Sequence, residues 1–348
     1  MDDMNKKVYQ VINNYRIYFL CGLVFIAMAI FVPNFLTPYN ITNILKGMSL
    51  NAMVAVGFTI VMICKELDLS VGTTLTLGAM FVIGFQPSLG WGGSLLIAVL
   101  AGALVGLANG FLVARAKIDS FIVTLGTMTT VQGIIFLYGK GYALNATDFT
   151  IADWLETPII PFLPPRVLIT IIFVLLFEVL LVRTKYGRGF YMVGANRETA
   201  WLAGLNTEGY VIVAFIISGI TAALGGALFA MSLSSATPTI GTSSLMIVVA
   251  ATIIGGTSMA GGKGSILGSA VAVLTLTILY NGLTNLGAGY EIQILASGLV
   301  LAVVVLYEAY ALYQANKVKG QRPELLKEVS LKKGKGRGGK AVKLETLN

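Results

Sequence analysis

The chain has 348 residues, of which 56 % are hydrophobic and 11 % charged, with 40 glycines and a mean hydropathy of +0.83. Soluble domains carry about 25 % charged residues, so a soluble enzyme, a disordered chain and a disulfide-stapled secreted domain are excluded, leaving an all-α polytopic membrane protein. The formal charge of +8 is concentrated in residues 313–348, with ten Lys/Arg against three Glu, so the basic balance belongs to a tail and points to no nucleic acid.

Uncharged runs of about 20 residues mark membrane crossings. After an N-terminal segment, 1–16, a first span is expected over 17–33; no small-x-small cleavage site follows, so it is read as a span and not a signal peptide. VPNFLTPYN then reads as a Pro-broken loop, and the second span, 47–64, ends at the turn KELDLS, where Asp68 or Ser70 can cap the next helix. The uncharged stretch 69–114 is interrupted by QPSLGWGG, giving spans at 70–86 and 93–114. The fifth and sixth fall at 119–138 and 167–183. SLSSATPTIGTSS separates the seventh, 210–231, from the eighth, 244–259, and the ninth and tenth cover 265–286 and 292–312. Ten helices therefore fill a transmembrane domain over 17–312, and the Gly-rich basic tail 313–348 is expected to be disordered and drawn to anionic membrane lipid.

Positive charge orients the spans. With the N-terminus in the cytoplasm, the inside loops collect Lys6, Lys7, Arg16, Lys65, Arg115, Lys117, Arg183, Lys185, Arg188, Arg197 and Lys263, and the outside only Lys46, Lys140 and Arg166. Both termini are then cytoplasmic. Five spans on each side of the midpoint give halves of opposite orientation, so counting alone implies an inverted repeat. The longest outside loop, about 139–166, reads either as a docking surface for an extracytoplasmic partner or as a solvated connector.

The chain has no histidine, which removes His-based triads, metal sites and proton relays. Cys21 and Cys64 sit in apolar stretches and read as buried thiols. Glu178 and Glu308 are the only ionisable residues within the spans, both near cytoplasmic ends, which argues against a proton-coupled carrier. GGTSMAGGKGS at 255–265 fails as a phosphate loop, since Thr257 stands where the first glycine belongs and Gly264 follows Lys263. No catalytic, cofactor or metal residue is expected, and ATP with its Mg²⁺ would be bound by another subunit. Small residues crowd 101–110, 218–230 and 268–277, as close helix packing in lipid requires. Among the polar uncharged residues, Asn51, Thr59, Thr73, Thr76, Thr252 and Thr257 are candidates to line a path, which would suit a neutral polar solute.

The longest inside loop is 183–209. Asn196 is a good N-cap, Glu198 sits in the first turn and Gly204 is a C-terminal stop, so a short helix is expected over 197–203. Trp201 and Leu202 make one side of it apolar. It reads either as an interfacial helix resting on lipid or as a knob inserted into a cytoplasmic motor subunit.

Four segments resemble, in order and spacing, the membrane subunits of ribose-type ABC importers: NAMVAVGFTIVMICKELDLSVG (51–72), GLANGFLVARAKIDSFIVTLGTM (106–128), TKYGRGFYMVGANRETAWLAGLN (184–206) and IIGGTSMAGGKGSILGS (253–269). The resemblance implies a ten-helix permease subunit of the bacterial inner membrane that works as a homo- or heterodimer. A cytoplasmic ATPase would drive it, and an extracytoplasmic solute-binding protein would supply a monosaccharide. It maps the family's coupling helix onto Gly194, Ala195, Asn196, Ala200, Leu202, Ala203 and Gly204, beside Trp201. Glu66-Leu67-Asp68-Leu69-Ser70 departs from the Gly-Ile-Asp-Leu-Ser of many relatives, and the basic tail is longer than the family needs. Alternatives are a same-fold importer of branched-chain amino acids, nucleosides or a sugar-like signal, and a sodium-coupled secondary carrier.

Overall fold

The computed structural model describes residues 16–289 and scattered positions from 291 to 306. The tail 313–348, Glu308, most of the expected tenth span and all of the N-terminal segment but Arg16 lie outside the described residues. In chain order the elements are α1 (Arg16–Phe31), α2 (Pro38–Ile63), α3 (Val71–Ala114), α4 (Ser120–Gly139), β1 (Leu144–Asn145), α5 (Thr150–Glu156), α6 (Pro165–Arg183), α7 (Lys185–Ala195), α8 (Arg197–Leu202), α9 (Thr207–Leu233), β2 (Ser235–Ala236), α10 (Thr242–Ile254) and α11 (Ile266–Asn285). Among the described residues six helices, α2, α3, α4, α6, α9 and α11, are long and apolar enough to cross a membrane, and α1 and α10 are apolar but shorter.

At 44 residues α3 is too long for one crossing. Pro87 lies inside it and Gly90 adopts φ 65°, ψ −179°, a backbone region essentially confined to glycine. The helical run therefore folds into two limbs lying side by side: Asn109 Nδ2 donates to Ser70 Oγ at 2.9 Å. A straight helix would hold these residues about 58 Å apart at 1.5 Å per residue. The break expected at QPSLGWGG is this reversal.

Three differences from the sequence reading are the largest. The second span starts at Pro38, not 47, because Thr37 Oγ1 accepts from Asn40 N and Pro38 occupies the first turn, so VPNFLTPYN contains a helix start. The eighth stops at Ile254, not 259, where Gly255 caps it and Gly256 turns away at φ 95°. Residues 185–195 form a helix, α7, where only a loop was expected, with Thr184 Oγ1 accepting from Gly187 N at 3.0 Å.

The centre of the bundle is α2, buried at every residue from Asn51 to Cys64. It packs on α9 through Gly57 against Ser218, and on α11 through Gly47 against Thr277. Both limbs of α3 lie along α9, with Gly78 against Ala223, Gly102 against Gly219 and Gly106 against Phe215. The small-residue runs 101–110 and 218–230 thus meet each other, and their backbones approach closely enough for dispersion to hold them in lipid. Glu178 on α6 is consumed by structure: its Oε2 accepts from Ile266 N at 2.8 Å and Leu267 N at 3.2 Å, satisfying the free N–H groups that begin α11.

Charge separates to the two ends. A basic end gathers the turns 64–70, 115–119, 183–206 and 255–265. The opposite end carries β1 paired antiparallel with β2, Trp91 Nε1 donating to Asp148 Oδ2 at 3.0 Å, and Lys46 and Arg166 both on Glu156 at 2.7 and 3.0 Å. Residues 140–164 are therefore strapped onto the bundle, yet Phe149, Trp154 and Ile159 remain exposed there.

Candidate functional site

The site is built around α8 at the basic end. Asn196 Oδ1 accepts from Thr199 N at 2.9 Å, closing the first turn. Ala203 is the C-cap, Gly204 adopts φ 84°, and Leu205 N donates back to Ala200 O at 3.1 Å. The helix spans Arg197–Leu202, one residue shorter than expected. Ala200 is buried against the protein, whereas Trp201 is 64 % and Leu202 73 % exposed. Two large apolar side chains at the end of a rigidly capped helix form a knob.

Beneath the knob, α7 is gripped through its backbone. A Cβ on Gly194 would lie 1.7 Å from the Ile63 carbonyl oxygen, so only glycine fits where α7 crosses the end of α2. That same carbonyl accepts from Gly262 N at 2.8 Å, and Tyr191 Oη donates to Gly264 O at 2.9 Å. The glycine-rich segment 255–265 thus clasps α7 and the end of α2. Ala195 lies against Gly262, and Arg197 pairs with Glu66 on the KELDLS turn.

That turn is the second half of the site. Asp68 is buried; its Oδ1 accepts from Ser70 N at 3.0 Å and Ser70 Oγ at 2.6 Å, and its Oδ2 from Ser218 Oγ on α9 at 2.8 Å. Asn109, on the second limb of α3, donates to Ser70 Oγ and accepts from Thr127 Oγ1 of α4 at 2.6 Å. Burial pushes the Asp68 carboxyl above its ordinary pKa, opposed by the hydrogen bonds from Ser70 and Ser218. Capping was the expected task of Asp68 or Ser70. Instead Ser70 occupies the N-cap position without a side-chain cap bond, and Asp68 joins the turn to α9. Asn109, Thr127 and Ser218 escaped the sequence reading; the available signal was a polar side chain in each of three apolar runs. Cys64 is wholly buried at the start of this turn.

The candidate path residues come from several elements: Asn51 and Thr59 from α2, Thr73 and Thr76 from α3, Thr252 from α10 and Thr257 from the glycine-rich segment. Thr59 Oγ1 donates to Ala55 O at 2.6 Å and lies at hydrogen-bond distance, 2.8 Å, from Ser269 Oγ of α11. Thr73 donates to Ser70 O at 2.9 Å, and Thr76 donates to Gly72 O and accepts from Gly241 N at 3.1 Å, tying α3 to the start of α10. Asn51 Oδ1, Thr252 Oγ1 and Thr257 Oγ1 are buried without a hydrogen-bond partner among the described residues. Thr257 lies beside Gly264, within the clasp.

Membrane-length apolar helices, packed on small residues and bearing a braced apolar knob at one end, define a multi-pass helical membrane protein. Residues 40–307 match the family described as branched-chain amino acid transport system / permease component, and the chain belongs to that family. It is 33 % identical to the ribose import permease protein RbsC of Bacillus subtilis (strain 168), over 81 % of this chain and 88 % of that one. It is 35 % identical to the ribose import permease protein RbsC of Escherichia coli (strain K12), over 79 % and 87 %, and 31 % identical to that organism's L-arabinose transport system permease protein AraH, over 86 % and 91 %. No solved structure matches the chain.

Proposed function

We propose that the chain is the translocation subunit of an ATP-driven importer that carries a monosaccharide or similar neutral polar solute across the bacterial inner membrane. ATP and Mg²⁺ bind to a separate cytoplasmic ATPase, and this chain has no ATPase site of its own. A second permease subunit completes the path, and an extracytoplasmic binding protein delivers the solute to the end where Trp154 and Ile159 are exposed. The basic end faces the cytoplasm, as the positive-inside rule requires. Ten helices in two inverted halves, with both termini inside, complete the architecture as we read it.

The observation that carries this reading is the knob. Exposed Trp201 and Leu202 are built to enter a groove on a motor subunit, and α8 rests on α7, which the clasp joins to the end of α2. A push on Gly194–Gly204 therefore reaches the central helix and, through Arg197, Glu66 and the Asp68 turn, α3 and α9. Ribose and arabinose permeases among its relatives favour a sugar as cargo. The family description names branched-chain amino acids, which makes leucine the comparison solute.

Uptake by proteoliposomes containing the chain, its ATPase and its binding protein tests the reading, with labelled monosaccharides and leucine offered in turn. ATP-dependent uptake of a monosaccharide is expected. Ala203→Glu places a charge beside the knob, and truncating or disrupting such an anchor costs about 2–4 kcal/mol, so ATPase co-purification and uptake are expected to fall together at normal membrane abundance. Normal co-purification and uptake in that variant would remove α8 as the coupling element.

A further inference from the structure

At the basic end, α6, α7, the start of α9 and Ile60 of α2 enclose a cavity of about 510 Å³. Pockets for small organic ligands run from about 300 to 1,000 Å³. Its wall is apolar and aromatic: Phe177, Leu181, Tyr186, Phe190, Tyr210 and Val213 face it, and Phe190 meets Tyr210 edge to face at 5.2 Å. Leu180 and Val213 remain exposed at its rim, so the cavity opens onto the apolar outer surface of the bundle, where an acyl chain would lie.

Cations neighbour the lining residues in sequence. Arg183, Lys185 and Arg188 alternate along the chain with the lining residues Thr184, Tyr186 and Gly187, and all three are exposed. Among the described residues, carboxylates pair with Lys46, Arg115, Arg166 and Arg197 but with none of these three. Lys185 Nζ sits 5.1 Å from the centre of the ring of Tyr186, a lining residue. An apolar slot open to the lipid side, lined by a segment whose exposed cations have no carboxylate partner among the described residues, is complementary to one molecule class. Basic pockets between membrane helices bind anionic headgroups. We propose that this cavity is a specific site for an anionic phospholipid, one acyl chain filling the slot and the phosphate held by Arg183, Lys185 and Arg188.

Native mass spectrometry of the purified full chain tests this, with phosphatidylglycerol and phosphatidylcholine of identical acyl chains as probes. Wild type is expected to retain phosphatidylglycerol over phosphatidylcholine by on the order of a hundredfold, the scale that three near-surface cations at about 1 kcal/mol each supply. The combined variant Arg183→Gln, Lys185→Gln, Arg188→Gln is expected to bring phosphatidylglycerol down to the phosphatidylcholine level. Val213→Trp, which fills the slot from an exposed position, is expected to lower retention of both lipids, and Lys117→Gln at the same end neither. A wild-type chain with no retained phosphatidylglycerol, as when a protein segment fills the cavity, overturns the proposal. So does an unchanged preference in the triple variant, or undiminished retention in Val213→Trp.

Discussion

Asp68 receives three hydrogen bonds from serine groups while lying almost wholly out of water. A carboxylate so placed holds its neighbours by acceptance alone, and removing it leaves buried donors with nothing to face. Leaving one buried polar group unpaired costs about 1–3 kcal/mol. Asp68→Ala is therefore expected to lower the thermal midpoint of the purified protein most, Asp68→Asn less, since its amide oxygen still accepts on one side, and Ser218→Ala least. A midpoint in Asp68→Ala equal to wild type would show that the turn does not depend on these bonds. Nothing in KELDLS distinguishes a carboxylate that caps a helix from one that ties two helices, because the partner, Ser218, lies 150 positions away. Local chemistry placed Asp68 in the turn; only packing revealed what it holds.

At the level of elements, legibility followed the range of the cause. Asn196, Glu198 and Gly204 write α8 within nine residues, and it forms almost where expected. Gly90 reverses α3 within the expected break. By contrast α7 has three glycines, Gly187, Gly189 and Gly194, and reads locally as loop. Gly189 and Gly194 answer to distant contacts, with Tyr210 and Ile63 lying where a Cβ would go, and Gly187 to Leu181 at the end of α6. Gly194→Val is accordingly expected to open the joint between α7 and α2 and lower both yield and thermal midpoint, on the scale of several kcal/mol for a forced overlap with backbone. Gly126→Val, where nothing lies within 4 Å, is the control and is expected to cost little. Equal behaviour of the two variants would refute the tight joint.

For the whole molecule, the sorting of cations to two ends makes orientation measurable. Thr150→Cys and Ser235→Cys, at the strapped end, are expected to react with an impermeant thiol reagent added to intact cells, and Thr199→Cys, on α8, to react only after permeabilisation. Labelling of Thr199→Cys from outside would invert the topology. Hydropathy and charge made the membrane class and its axis readable from composition, whereas nothing local told that Thr59, Thr73 and Thr76 bond within their own helices and that Thr76 also receives Gly241 N. The clasp on α7 has a consequence of a different kind. Because Gly194, Ile63 and Gly262 meet through main-chain atoms, their fit is indifferent to the side chains displayed outward on α8. The joint and the face it presents are thus separable inventions: if α8 meets an engine as proposed, Trp201 and Leu202 can be exchanged to suit a different one while the joint underneath keeps its shape.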